Sequence, residues 1–194
     1  MLHKLKGGNN LKYLIVVDMQ NDFITGALGS REAQAIVSNV VAKIEKYRQA
    51  KCCDNEPIDI IFTHDTHKED YLNTLEGKLL PIEHCIKDTY GWMLSDELPI
   101  DTYSDQHVYK HTFGYCGWSH ILDRLSLDTS QDTIEIVGLC TDICVISNAL
   151  LIRATFPDIS IIVDASCCAG TSIEAHKSAI NVMRSCQIDV INEV

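Results

Sequence analysis

Residues Tyr13 to Asp18 read YLIVVD, an apolar run rich in β-branched side chains that ends on a carboxylate. Such a run predicts a strand that is buried on both faces of a parallel sheet. An amphipathic helix is predicted next, from Glu32 to Gln49, and a second strand from Ile58 to Thr63. The apolar side chains of the helix share one stripe: Ile36, Val37, Val40, Val41 and Ile44. This order favours a right-handed crossover between parallel strands.

The rest of the chain repeats the alternation of strand and helix. Further strands are predicted at His107 to Lys110, Thr133 to Gly138, Ile159 to Asp164 and Ile188 to Ile191. Further helices are predicted at Gly117 to Leu125, Asp142 to Ala154 and Ser172 to Met183. The irregular stretch from His64 to Ser104 predicts loops and short helices that build a site. We therefore expect an α/β fold of three layers, α/β/α, with a mostly parallel sheet of roughly six strands in one domain over residues 1–194.

Composition and charge narrow the class of protein. Acidic residues outnumber basic residues by 27 to 16, and the resulting formal charge of -11 argues against nucleic-acid and anionic-membrane partners. No apolar run of the sequence approaches the roughly 18 residues that span a bilayer. The polar N-terminus does not resemble a secretory signal, so a cytoplasmic protein is expected. The nine scattered cysteines fit ordinary thiols better than a disulfide framework.

Polar residues stand at the carboxyl ends of four predicted strands, which is where ligands bind in open α/β sheets. Asp18 ends the first strand and Asp65 follows the second. Lys110 ends the third, and Cys144 comes just after the fourth. We therefore expect these four side chains to converge on one edge of the sheet.

Cys144 is the candidate nucleophile, at a strand-to-helix turn within Gly138 to Val145. The free N–H groups and the dipole of a helix N-terminus favour a thiolate, which predicts a thiol pKa below the usual value of ~8.5. The same N–H groups can hold an oxyanion. Asp18 is placed to take the thiol proton and return it to a leaving amine, and Lys110 to favour both ionised groups. Taken singly, a buried thiol, a capping aspartate and a solvated lysine are the ordinary alternatives.

Asp65 and His67 form the start of a candidate metal site. Side chains two residues apart in an extended segment point to the same side, so both can reach one ion. His84 lies across the following loop, and Glu76 is a fourth candidate ligand, either direct or through water. One carboxylate and two imidazoles suit a single divalent ion with open positions, zinc first, with iron or manganese as alternatives.

Other potential ligands are left out of this site. His64 adjoins the pair but points the opposite way, which predicts a structural role. His111 and His120 have no partner at ligand spacing. Cys85 follows His84 directly, and because sequence neighbours do not easily bind one ion, we assign it to packing.

Five stretches of the sequence carry a family resemblance: Asp18-Met19-Gln20-Asn21-Asp22-Phe23, Asp65-Thr66-His67, Leu80 to Cys85, Lys110 with Phe113, and Gly138 to Val145. Over essentially the whole chain they resemble the nicotinamidase/isochorismatase-like cysteine hydrolase superfamily, and within it nicotinamidase/pyrazinamidase. The resemblance implies a catalytic triad of Asp18, Lys110 and Cys144. It also implies metal ligation by the following residues: Asp65, His67, His84 and often Glu76.

The resemblance further implies a cis peptide bond at Leu139–Cys140 and an oxyanion hole made by the backbone N–H groups of Cys140 and Cys144. The chain departs from many nicotinamidases at Thr66, where they carry an aromatic residue between the metal-binding Asp and His. The pocket aromatics are then expected among four other residues: Phe23, Tyr90, Trp92 and Phe113. Phe23 and Phe113 are taken as the pocket residues.

The residues and the resemblance lead to one hypothesis, a metal-assisted cysteine amidohydrolase of NAD salvage. It would convert nicotinamide to nicotinate and ammonia through a thioester, with the metal, or water on it, touching the pyridine nitrogen. The alternative is an amidase or carbamoyl hydrolase of the same superfamily that acts on another small amide. A vinyl-ether hydrolase needs neither the cysteine nor the metal cluster, and an iron(II) oxygenase leaves the Asp18, Lys110 and Cys144 convergence unexplained. A zinc-stabilised interaction module would turn over no amide. Relatives commonly assemble, so a homo-oligomer is expected.

Overall fold

Six parallel strands form one sheet in the order β3-β2-β1-β4-β5-β6. The structure is a computed structural model that describes residues 11–54 and 56–193. The strands are β1 Lys12–Val17, β2 Ile58–Asp65, β3 Gln106–Lys110, β4 Thr133–Leu139, β5 Ser160–Ala169 and β6 Asp189–Ile191. The predicted α/β fold with a parallel sheet is confirmed.

Helices follow most of the strands. They are α1 Asn21–Ile24, α2 Arg31–Cys53, α3 Leu75–Leu79, α4 Trp118–Arg124, α5 Ile146–Thr155 and α6 Ile173–Ser185. The Ser30 and Ser172 hydroxyls cap the N-termini of α2 and α6, each accepting a backbone N–H at 3.0 Å. A 3₁₀ turn covers Tyr71–Asn73. The helix expected from Asp142 begins instead with a π-helical turn, Thr141–Val145, before α5.

Helices cover both faces of the sheet, which explains the continuous apolar run of β1. Leu14 and Val16 pack on the face that α2 covers. Ile15 and Val17 pack on the opposite face, where α4, α5 and α6 contribute the partners. Successive side chains of a strand alternate between faces, so a strand with two covered faces is apolar throughout. Val41 is the one member of the predicted α2 stripe that is only partly buried.

The strand order reverses between β1 and β4, and this point positions the site. The chain runs outward from β1 to β2 and β3, then returns to the other side of β1 as β4. The carboxyl ends of two strands that diverge in this way open a crevice for ligands. Gly138, near the end of β4, has a φ of +119°, and a Cβ there would lie 2.1 Å from the Val17 carbonyl oxygen. Only glycine lets β1 and β4 approach so closely. Among the described helices, none has both the length and the apolar character needed to cross a membrane.

Candidate active site

A single buried ammonium connects the polar residues at the carboxyl ends of the strands. Lys110 Nζ lies 2.7 Å from Asp18 Oδ2 and 3.1 Å from Asp65 Oδ1. It also lies 3.5 Å from Cys144 Sγ. The Thr63 hydroxyl donates to Asp18 Oδ1 at 2.7 Å and fixes that carboxylate. The predicted convergence of Asp18, Asp65, Lys110 and Cys144 is therefore present, and every one of these side chains is buried.

Cys144 lies in the π-helical turn, and a buried asparagine holds that turn in place. The Asn148 side-chain amide donates to the Cys144 carbonyl oxygen at 2.8 Å. Its Oδ1 accepts from the Trp118 indole N–H and from the Tyr115 backbone N–H, both at 2.9 Å. Asn148 thus links the turn to α4 and the loop before it. The Leu139–Cys140 peptide bond is cis, as the family resemblance implies.

The ionisation of Cys144 differs from the expectation drawn from its position at a helix N-terminus. Burial raises the pKa of the thiol well above its usual range, the charge of Asp18 raises it further, and the Lys110 ammonium opposes them only in part. The lowered thiol pKa that the sequence suggested is therefore wrong for the resting site. Full burial outweighs a local dipole because it removes the water that would solvate the thiolate.

Asp18 and Lys110 respond in different ways to the same burial. Burial raises the pKa of Asp18 despite the neighbouring ammonium. Burial alone would lower the pKa of Lys110, but Asp18, Cys144 and Asp65 together raise it well above the usual lysine range. Burial therefore favours the neutral forms of Cys144 and Asp18, whereas the surrounding anionic groups favour the charged form of Lys110.

Four potential metal ligands meet next to this ammonium. One ligand atom each from Asp65, His67, Glu76 and His84 lies within 4.8 Å of the others. His67 Nε2 is 3.0 Å from Asp65 Oδ2, and Glu76 Oε1 is 3.8 Å from Nε2 of both histidines. His84 Nδ1 lies 2.8 Å from the Ile82 carbonyl oxygen, which leaves Nε2 for the cluster. The cluster thus offers two imidazoles and two carboxylates, and the Ile82 carbonyl oxygen orients one of the imidazoles. This donor set fits a divalent ion such as zinc.

Tyr71 supports both histidines, a contact that sequence spacing gave no reason to expect. Its buried ring packs edge-on against His67 and His84, with ring centroids 4.7 and 5.0 Å apart. Its hydroxyl donates to the Leu80 carbonyl oxygen at 2.9 Å. Tyr71 therefore connects the two histidines to the loop that precedes His84.

Gln20 and Asp22 make hydrogen bonds to the segments that carry the candidate metal ligands. Gln20 donates to the Asp65 carbonyl oxygen at 2.9 Å and accepts from the Asp65 N–H at 2.8 Å. Its amide also donates to the Trp92 carbonyl oxygen at 2.7 Å. Asp22 Oδ2 accepts from the Cys85 N–H at 2.7 Å. Both residues lie in the stretch from Asp18 to Phe23 that carries the resemblance, but their partners are far away in sequence.

A cavity of about 550 Å³ opens beside Cys144. Its apolar lining is Phe23, Leu28, Ala33, Leu79, Leu80, Phe113, Leu139 and Ile143. Its polar lining includes Ser30, Asp65, Glu76, His84, Cys144 and Thr171. Phe23 and Phe113 are thus placed at the cavity, as the sequence suggested.

The other two candidate aromatics, Tyr90 and Trp92, are not among the described residues that line this cavity. The Trp92 indole N–H donates to Thr66 Oγ1 at 2.9 Å. Thr66 therefore faces the side of β2 away from the cavity. His64 shares that side, where its Nε2 lies 2.9 Å from His107 Nδ1, a placement that agrees with a structural role.

Residues 12–193 match the family model described as the isochorismatase domain. The chain belongs to the isochorismatase family. Among curated relatives in this family, it is 28% identical over 215 aligned residues to a nicotinamidase of Schizosaccharomyces pombe, covering 93% of this chain and 92% of that protein. It is 29% identical to a probable inactive nicotinamidase of Arabidopsis thaliana, over 89% and 87% of the two chains.

Solved structures share this isochorismatase-family fold. A pyrazinamidase of Pyrococcus horikoshii in complex with zinc superposes with a TM-score of 0.76 at 22% identity, covering 94% of this chain and 99% of that one. An N-carbamoylsarcosine amidase of Thermoplasma acidophilum gives a TM-score of 0.74 at 25% identity, with 94% and 98% covered. The predicted resemblance is confirmed, and so, at the level of the family, is the expectation of a hydrolase that acts on amide C–N bonds.

Proposed function

We propose that the protein is a metal-assisted cysteine amidohydrolase whose first candidate substrate is nicotinamide. One observation carries the proposal: Cys144, which contacts the Lys110 ammonium, lines the same cavity as Asp65, Glu76 and His84. A nucleophile and a metal-ligand cluster on one cavity wall suit the cleavage of a substrate held at two points. The similarity to a nicotinamidase over most of both chains supports the choice of substrate.

In the proposed acylation, Asp18 accepts the proton of the Cys144 thiol as Sγ bonds to the carboxamide carbon. The backbone N–H groups of Cys140 and Cys144 donate to the oxyanion that results. Asp18 then gives the proton to the departing nitrogen, the C–N bond breaks and ammonia leaves, so a thioester remains. Lys110 keeps its charge throughout and stabilises the thiolate and the ionised Asp18.

In the proposed deacylation, Asp18 takes a proton from a water molecule as the water oxygen bonds to the thioester carbon. The C–S bond then breaks, the carboxylic acid leaves, and the proton returns to Cys144 Sγ. Asp18 thus serves as base and acid in turn. Its raised pKa suits both roles, because it brings the carboxylate closer to neutral pH, where a group both gains and loses a proton more readily.

Asp65, His67, His84 and Glu76 are the residues that would hold a divalent ion, with zinc as the first candidate. The zinc in the pyrazinamidase of Pyrococcus horikoshii supports that choice. A bound ion would supply orientation, because an open coordination position facing the cavity can take up a donor atom of the substrate. Other residues of the chain position these ligands. Gln20 makes hydrogen bonds to the Asp65 backbone, and the Tyr71 ring packs against both histidines.

The closest alternative is a carbamoyl hydrolase, since an N-carbamoylsarcosine amidase shares the fold. The substrate named there carries a carboxylate as well as the carbamoyl group. Among the described residues that line the cavity there is no lysine or arginine, whereas Asp65 and Glu76 are acidic. Because a divalent ion would offset the charge of Asp65 and Glu76, the wall is not an anionic surface, but its other described side chains offer a carboxylate no cation, so a neutral carboxamide is the better fit.

Ammonia release by the zinc-supplied protein tests the proposal. The substrates are nicotinamide, pyrazinamide and a panel of carbamoyl compounds, and Cys144→Ala is compared with Cys116→Ala, an exposed thiol. We expect release from nicotinamide that Cys144→Ala abolishes and Cys116→Ala preserves. Release only from carbamoyl compounds would move the substrate to the alternative. If none of the amides is turned over, the hydrolase assignment is wrong.

A further inference from the structure

The cavity is larger than a single pyridine carboxamide requires. Its volume of about 550 Å³ falls within the range of roughly 300–1,000 Å³ that is typical of sites for drug-sized ligands. Cys144 and the candidate metal ligands account for only part of the described cavity lining. The remaining wall leaves room for a further part of a substrate.

The rest of the cavity wall consists mostly of apolar side chains. Leu28, Leu80 and Ile143 contribute aliphatic surface. Each of the two hydroxyls on the wall already makes one hydrogen bond: Ser30 accepts the Ala33 N–H at 3.0 Å, and Thr171 donates to Asp142 Oδ2 at 2.5 Å. A charged substituent would therefore lose its water there without gaining an oppositely charged partner on this part of the wall.

Two large apolar side chains stand exposed where the cavity opens to solvent. Leu79 is 79% exposed and Phe113 is 49% exposed, and both line the cavity. Leu79 follows Glu76 by three residues on α3, and this spacing puts both on one face of the helix. The short helix α3 therefore carries both the Glu76 carboxylate, which belongs to the candidate metal site, and Leu79, which lies where the cavity opens to solvent.

We propose a second substrate class besides nicotinamide: a primary amide with an uncharged, extended apolar acyl group. Its carboxamide lies at Cys144, and its tail runs along the aliphatic wall to cover Leu79 and Phe113. This inference rests on the proposed amide hydrolysis and adds a substrate class to it. Leu79 is then a specificity-determining residue.

A series of straight-chain primary amides, from butanamide to octanamide, tests the length of the acyl site. Ammonia release is measured with the zinc-supplied native protein. We expect kcat/KM to rise by up to roughly fourfold per added methylene until the tail reaches the cavity mouth, because each buried methylene leaves water. Adipamate, in which a carboxylate replaces the terminal methyl group of hexanamide, is expected to react at least tenfold more slowly than hexanamide.

Leu79→Ser and Leu75→Ser form the matched pair of variants. Leu75 is also on α3 and is 74% exposed, but it is not among the cavity-lining residues. We expect Leu79→Ser to lower the preference for octanamide over butanamide roughly tenfold. Leu75→Ser is expected to keep the native preference.

The outcomes separate this inference from the function on which it rests. Cys144-dependent release from nicotinamide with a flat response to chain length overturns the extended acyl site and leaves amide hydrolysis standing. Equal loss of preference in both leucine variants overturns the role of Leu79. The absence of Cys144-dependent release from every amide overturns both proposals together.

Discussion

Lys110 Nζ lies 2.7 Å from Asp18 Oδ2, and neither side chain is exposed to solvent. The same ammonium is 3.1 Å from Asp65 Oδ1, so one cation lies beside two buried carboxylates. A buried charge that loses its partner is far more costly than an exposed one, because no water replaces the partner. The pair therefore links the stability of the fold to the chemistry of the site.

Lys110→Met is expected to lower the free energy of unfolding by about 3–5 kcal/mol, since it leaves two buried carboxylates without their cation. Lys12→Met is the control, because the Lys12–Glu56 pair is exposed by 43% and 33% and is worth at most about 1 kcal/mol. Urea unfolding followed by circular dichroism measures both. Equal small losses would show that Lys110 is not needed to neutralise the site.

The acid side of the pH–rate profile reports the ionisation of Asp18. Only the ionised carboxylate can accept the thiol proton, so activity falls as the pH drops through its pKa. Because burial raises that pKa, the fall in kcat/KM is expected above the pH of about 3.9 at which an ordinary aspartate titrates.

This profile is measured at saturating zinc, with zinc affinity followed over the same pH range. That second measurement separates Asp18 from His67, whose protonation competes with metal binding. Asp18→Asn is expected to remove the activity at every pH. An acid limb at or below 3.9 would contradict the raised pKa.

The meeting of the four polar strand ends could be predicted from sequence because parallel strands place their carboxyl ends on one edge. Asp18 and Cys144 stand on either side of the point where the strand order reverses, and Asp65 and Lys110 stand on the next two strands. His84 was harder to place, since it lies in the irregular stretch between β2 and β3. Its position depends on the Cys85 N–H bond to Asp22, a contact 63 residues apart.

Other features depend on tertiary contacts that have no local signature. Gln20 holds Asp65 from 45 residues away, and Asn148 bonds to Tyr115 and Trp118 from 33 and 30 residues away. Tyr71 packs against His84 across the loop between them. The direction of the pKa shift of the Cys144 thiol could not be predicted from sequence either. Its place at a helix N-terminus is visible in sequence, whereas the burial that reverses the expected direction of the pKa shift is not.

Tyr71 is expected to position the metal ligands, because its ring contacts both His67 and His84. Tyr71→Leu removes these ring contacts and the hydroxyl, and is expected to weaken zinc binding roughly tenfold or more. Tyr71→Phe keeps the ring and loses only the bond to the Leu80 carbonyl oxygen, so its effect is expected to be smaller. Chelator competition measures the zinc Kd, with Tyr103→Leu, at a residue 99% exposed, as the control. Unchanged affinity in Tyr71→Leu would show that the histidines are held without the ring.

Gly138→Ala is expected to destabilise the junction of β1 and β4 by more than about 1 kcal/mol. The φ of +119° is unfavourable for alanine, and the new Cβ would lie 2.1 Å from the Val17 carbonyl oxygen, a backbone atom that cannot move without disturbing β1. Gly117→Ala is the matched control, because the three atoms nearest to its Cβ belong to the side chain of Tyr115 and not to backbone. Thermal unfolding of both variants measures the difference. Equal stability of the two variants would contradict this prediction. It would show that β1 and β4 can move apart at Gly138, next to Asp18, at little cost.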